Sequence, residues 1–206
     1  MPKQVNPATR RLDVVDALFR IVVRDGLQHA SLRAVADEAQ LNTGSLRHYF
    51  ESQQELMRFA MQSMLDRVAT RMLRRLDEVG DVDALPLSEQ RKLRASVLEE
   101  LLPLDDVRRT EVIVFVEFIM AARTNPLLSE LARTSALGTR SLVRRALTRM
   151  AGRGNLRTGI EIEAEITRLV ALLDGLCLNA VLYPDVLSAQ DCVAALRFHL
   201  ADLEAH

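Results

Sequence analysis

Apolar side chains recur every three or four residues along almost the whole chain, and runs that alternate residue by residue are scarce. The pattern therefore predicts helices, about nine of them, and no sheet. The first opens at Asn6-Pro7, a capping residue followed by proline at the first helical position. It carries Leu12, Val15, Leu18, Phe19, Val22 and Val23 as a stripe and stops at Gly26. Ser31 is placed to cap a short second helix, Leu32 to Ala39, and Asn42 a third, Thr43 to Phe50, with only Gln40, Leu41 and Asn42 between them. Ser52-Gln53-Gln54-Glu55 reads as a capping box opening a long fourth helix that ends near Gly80.

After a loop over Gly80 to Leu87, Ser88 is expected to cap a fifth helix that Pro103 stops. Asp105 or Asp106 starts a sixth and Asn125-Pro126 a seventh. Thr158-Gly159-Ile160-Glu161 reads as a second capping box for an eighth helix reaching Tyr183, and Ser188 caps the ninth. Helix six is apolar all round from Val112 to Ala122, which places it inside the protein. Helix eight carries a seam at Ile162, Ile166, Leu169, Leu173, Leu176 and Ala180, and helix nine adds Val193, Leu196, Leu200 and Leu203. Gly175, inside helix eight, costs about 1 kcal/mol relative to alanine and points to a backbone crossing close by. The expected fold class is all-α, and the length allows one large domain or a small one fused to a larger one.

Composition narrows the function classes. With 206 residues and 49% apolar side chains the chain can bury a sizeable core. No run approaches the roughly twenty apolar residues that span a bilayer, and the first eight residues lack a secretory apolar segment, so the expected address is the cytoplasm. Cys177 and Cys192 match no metal-ligand spacing and are expected as two buried thiols. No nucleophile with its base, metal cluster or phosphate-cradling loop stands at a recognisable spacing, and the histidines are His29, His48, His199 and His206 alone. Neither catalysis, a cofactor nor a metal is expected. The net charge of -1 fails the crude test for a nucleic-acid binder. Residues 1–50 nevertheless hold seven basic against five acidic side chains, a local surplus of +2.

That segment carries the candidate chemistry. Reading DNA in the major groove needs a slim helix, a helix to hold it and a tight turn fixing their angle. Residues 31–50 supply the three, with Leu32, Val35, Ala36, Ala39, Leu41, Leu46 and Phe50 able to pack inward. What remains outward on helix three is polar: Thr43, Ser45, Arg47, His48 and Tyr49. The stretch from Ala39 to Phe50, followed by Ser52 and Glu55-Leu56, resembles the signature of the TetR family of bacterial repressors. Arg11, Gly26 and the Ser31–Ala36 segment extend the likeness over about fifty-five residues.

The resemblance implies an amino-terminal three-helix domain over residues 1–50, whose third helix enters the major groove, and a larger helical domain over 51–206 for dimerisation and inducer binding. Thr43 and Ser45 are then expected near base edges, with Gly44 between them, and Ser31, Arg33, Arg47, Tyr49 and Gln53 near phosphates. His48 serves either DNA contact or packing. Three positions depart from the family pattern. Gln40 stands where a turn glycine is usual, so a left-handed backbone there would strain it. Arg47 stands where tyrosine is common and would add a full charge to a phosphate contact. Gln53 replaces a common lysine, leaving the backbone N–H groups of helix four to meet a phosphate.

For the larger domain the resemblance implies a homodimer through helices near 159–183 and 189–204. The partners expected are a pseudo-palindromic double-stranded operator and a small-molecule inducer, with repression relieved by that inducer. A candidate pocket is lined by Met61, Met64, Phe115, Glu117, Phe118 and Leu173. Glu117 is open to two readings, pairing with Arg123 or another arginine, or with a cationic ligand. Asp174 stands between a structural or interface role and a ligand contact. A helical interaction module that binds protein instead of DNA is the competing function, and it would show no salt-dependent affinity for duplex DNA.

Overall fold

The structure, a computed structural model of the chain, describes residues 7–79 and 81–205. The expected cap Asn6, the expected stop Gly80, Lys3 and His206 lie outside them. Nine α-helices run through the described residues: α1 Pro7–Asp25, α2 Leu32–Glu38, α3 Thr43–Arg47, α4 Gln53–Asp77, α5 Leu87–Glu99, α6 Asp106–Ala122, α7 Pro126–Gly152, α8 Ile162–Leu182 and α9 Ala189–Asp202. Short 3₁₀ turns stand at Leu27–His29 and Val82–Ala84. The fold is all-α, as the period of the apolar residues predicts.

The chain divides into two packed units, one comprising Met1–Arg67 with Ile113–Ala132 and the other Val68–Val112 with Arg133–His206. In the first, α1 buries Val14, Val15, Leu18, Ile21 and Val22, while Leu12 and Val23, expected inside, are each 42% exposed at the flank of that face. Val35, Ala36, Leu46 and Phe50 have no exposure, and Leu56, Ala60, Met61 and Met64 of α4 complete the same core with Val114 and Phe118 of α6. Each large side chain so buried contributes about 1.5–3 kcal/mol. The sequence-based boundary at residue 50 thus falls inside a packed unit, because a three-helix segment this small needs α4 to cover its apolar face. Helix α6 is less enclosed than its composition predicts, with Met120 reaching solvent.

The second unit is built on the expected seam of α8. Ile166, Leu169, Leu173, Leu176 and Ala180 pack with Leu98 and Leu102, with Val143, Leu147 and Met150 of α7, and with Cys192, Leu196 and Leu200 of α9. Cys192 is buried and Cys177 half-buried, both as free thiols. The Cys177 Sγ donates to the Leu101 carbonyl at 3.1 Å, and burial pushes its pKa from 9.0 up to about 12. Two buried carboxylates, Glu100 and Glu111, are satisfied by Arg71, at 3.1 Å to Glu100 and 2.9 Å to Glu111, with Arg75 adding a 3.0 Å contact to Glu100.

Caps decide the helix ends, and three of them differ from expectation. Helix α5 starts at Leu87 with its cap at Pro86, ahead of the expected Ser88, because the fixed φ of Pro86 (-56°) already sets the entry. Helix α8 starts at Ile162 with no side-chain cap, since Gly159 turns the chain at φ 83° and the Thr158 box does not form. Ser52 Oγ does accept the Glu55 N–H at 3.1 Å, but the Glu55 carboxylate takes the N–H of Glu51 instead of that of Ser52. The complete box lies at α9, where Ser188 and Asp191 bond reciprocally.

Candidate functional site

The hairpin of α2 and α3 is made by local bonds. Ser31 is extended and its Oγ accepts the Ala34 N–H at 3.1 Å, which starts α2. After Glu38 the chain must reverse within four residues, and Gln40 does so at φ 55°, the left-handed region that favours glycine. The Leu41 N–H then reaches the Ala36 carbonyl at 2.9 Å and closes the turn. Asn42 caps α3 through its Oδ1, which accepts the Ser45 N–H at 2.7 Å. A Cβ at position 44 would stand 3.2 Å from that oxygen, so Gly44 leaves the cap its room. Helix α3 is shorter than expected: beyond Arg47, His48 and Tyr49 close a tighter turn through bonds to Ser45 and Leu46.

The polar residues predicted for this face are divided in their engagement. Ser31, Arg33, Gly44, Arg47 and His48 are exposed, while Thr43, Ser45, Tyr49 and Gln53 are half-buried. Tyr49 packs against the core of its unit. The Gln53 amide donates to the Ala30 carbonyl at 3.0 Å and ties the start of α4 to the entry of α2. Ser31 and Gln53 therefore hold backbone in place with the same groups that were expected to reach phosphates.

Ion pairing sharpens the charge of this surface. Arg20 and Arg24 converge on Glu38 at 2.7 and 3.2 Å, and their hydrogen bonds hold its carboxyl below the usual carboxylate range. Arg10 pairs with Asp13, Arg11 with Glu55 and Arg67 with Asp16. Arg33 and Arg47 have no hydrogen-bond or ion-pair partner among the described residues and remain available to an external anion. Arg11, reached in the sequence only through the family likeness, stacks over Phe50 at 4.6 Å and Phe59 at 4.3 Å. It clamps α1 to the end of the hairpin and the start of α4. Asn42 and Phe59, which this arrangement needs, were not among the predicted site residues; a cap signal marked the first, and none marked the second.

The residues expected to line a ligand pocket fall into two cores. Met61, Met64 and Phe118 are fully buried in the first unit, and Phe115 packs against them. Leu173 belongs to the core of the second. Glu117 takes neither an arginine nor an open cavity: its Oε2 accepts the Leu27 N–H at 3.1 Å, satisfying the start of the 3₁₀ turn that follows α1.

The second unit holds a cavity of about 810 Å³ between the end of α4, α5 and α7, walled by Leu73, Leu76, Leu93, Val97 and Leu142, with arginines at positions 94, 144, 145 and 149. It also shows a groove of about 350 Å³ along α8 at Ala171, Gly175, Asn179 and Tyr183. A Cβ at Gly175 would meet nothing within 4 Å, so no part of this chain crosses there as the glycine suggested. Leu178, Leu182, Tyr183, Val186 and Phe198 are exposed, Phe198 by 79%. Asp174 reaches solvent on the same helix, and desolvation by its surroundings pushes its carboxyl above the ordinary range. Sequence reasoning passed over Glu165, which is buried with its Oε1 2.8 Å from His199 Nε2. No group able to hold a metal ion occurs among the described residues, and no described helix is long and apolar enough to cross a membrane.

Comparison with known proteins decides the family. The profile of the carboxy-terminal domain of BetI-type transcriptional repressors matches residues 90–204, more than half of the chain. The HTH-type transcriptional regulator PksA of Bacillus subtilis (strain 168) is 32% identical over 184 residues, covering 89% of this chain and 84% of that protein. The chain belongs to the TetR family of transcription regulators. Among solved structures, a transcriptional regulator from Rhodococcus sp. Rha1 superposes with a TM-score of 0.77 at 26% identity, over 94% of this chain and 95% of its own. A regulator from Saccharomonospora viridis in complex with choline shares the fold at a TM-score of 0.80 and 19% identity, over 97% of this chain and all of its own. A TetR-family assignment accounts for both the hairpin and the helical body that follows it.

Proposed function

We propose that this TetR-family protein is a ligand-responsive repressor that grips a pseudo-palindromic DNA operator as a homodimer and lets go when a small molecule binds its second unit. The observation that carries the reading is the hairpin of α2 and α3. It presents Thr43 and Ser45 at the start of a short helix, with the unpaired guanidiniums of Arg33 on α2 and Arg47 at the end of α3. Side-chain hydroxyls near the helix start suit base edges, and unpaired arginines suit phosphates. The reading assigns Gly44 to close approach of the backbone, Tyr49 to a phosphate, and His48 to the rim of the contact. Ser31 and Gln53 act mainly by holding the hairpin at its angle.

Exposed apolar side chains on α8, on α9 and in the turn between them support the dimer, because five of them and an open glycine position stand in solvent unless a second copy covers them. The matched relatives are regulators, and the protein is proposed to act by binding alone, in the cytoplasm. Arg47→Ala tests the DNA reading against a fragment selected from genomic DNA. Binding should weaken on every sequence, and the slope of log affinity against log salt should shrink by about 0.9. An unchanged titration by gel shift would reject it.

A further inference from the structure

We propose that the cavity of the second unit receives an anionic amphiphile, a single carboxylate on an apolar chain. The inference rests on the reading of that unit as the ligand-receiving part and names the chemistry it accepts. About 810 Å³ lies within the range of sites for small organic ligands, roughly 300–1,000 Å³. Its walls from α4, α5 and α7 are aliphatic, and Leu73 at its edge is 59% exposed, which opens an apolar way in.

Its charged groups are all of one sign. Arg94, Arg144, Arg145 and Arg149 line it, and neither a carboxylate nor an aromatic ring does so among the described residues. A quaternary ammonium needs such rings or acids, so this lining opposes a ligand like the choline bound by the Saccharomonospora protein. Arg94 is held from behind by Glu204 at 3.1 Å with its side chain 14% exposed. Burial, aided by the charges of Arg91 and Arg153, lowers its pKa, so a further negative charge beside it is favoured. Arg144 is fixed by Glu163. Arg145 is exposed and has no partner among the described residues, which leaves its fork for a carboxylate entering head-last behind an apolar chain.

Isothermal titration of the full chain with decanoate, 1-decanol, decyltrimethylammonium and acetate tests the class. Decanoate should bind, with decanol about tenfold weaker for want of the charged hydrogen bond, and acetate and the cation should not bind. Arg145→Gln should cost decanoate about tenfold and leave decanol unchanged. Ala146→Phe, which fills the cavity from α7, should abolish both while circular dichroism shows the helices intact. The proposal is overturned if the cation or the alcohol binds as tightly as the acid, if the folded protein ignores decanoate, or if Ala146→Phe leaves decanoate binding untouched. Operator release is read separately by gel shift: decanoate that fills the cavity without releasing DNA upholds the ligand class and defeats the inducer reading.

Discussion

Gln40 carries the strain of the hairpin turn in its own backbone, at φ 55°. A left-handed non-glycine residue costs roughly 1–2 kcal/mol, and glycine would return about 0.5–1 kcal/mol of that as greater freedom in the unfolded chain. Gln40→Gly is therefore expected to raise stability by about 0.5–1 kcal/mol, read as a higher urea midpoint with an unchanged slope. A lower midpoint would mean that the glutamine side chain makes contacts worth more than its strain. This conformation was flagged in the sequence only through the family likeness, which has a glycine at this turn; the structure holds Gln40 there at φ 55°. The stacking of Arg11 was not, since its rings arrive from residues far along the chain. Cys177 gives a pH signature. Its thiol pKa is raised on folding, so its neutral form favours the folded state; that contribution is whole below pH 9 and is lost as pH rises toward about 12. Stability should accordingly fall over this window in the native protein and fall less in Cys177→Ala, as followed by denaturant titration at stepped pH.

A helix of five residues, such as α3, has no stability of its own and exists only through its caps and its packing. Leu46 and Phe50 anchor it in the core, and Asn42 satisfies the amide of Ser45 at its start. Asn42→Ala should cost about 1 kcal/mol of stability and, on the proposed reading, lower DNA affinity further, because the helix end proposed to meet the bases would fray. Loss of stability with full affinity would show that packing alone orients the helix. The caps at Ser31, Asn42 and Ser188 could be read from sequence because their bonds span only three residues. Ser88 and Thr158 carry the same signal and form no cap, since Pro86 and Gly159 set the backbone first. Ion pairs that join different helices, Arg71 with Glu111 or Glu165 with His199, have no local spacing and stayed invisible. The aliphatic cavity has no local signal for a related reason: its arginines sit on α5 and α7 among many others, and the Met and Phe side chains at helical spacing fill a core.

For the whole molecule the deciding quantity is whether two copies associate through α8 and α9. Phe198 and Val186 are 79% and 76% exposed, an arrangement that favours burial by another surface. In a two-fold dimer the same patch serves both subunits, so one substitution acts twice. Phe198→Glu should yield a folded monomer in sedimentation at micromolar concentration, with DNA affinity on a two-half-site operator falling toward that for a single half-site. Gly175→Ala separates the dimer from a plain helix effect. In an isolated chain, alanine at this open position should stabilise α8 by about 1 kcal/mol, since nothing lies within 4 Å of the added carbon. Against a second copy pressed onto the Ala171–Gly175 groove, the same methyl group should weaken association. A variant that melts at higher temperature when dilute yet dissociates more readily would place the glycine at the interface. One that gains stability and keeps its association would move the contact elsewhere on α8 and α9.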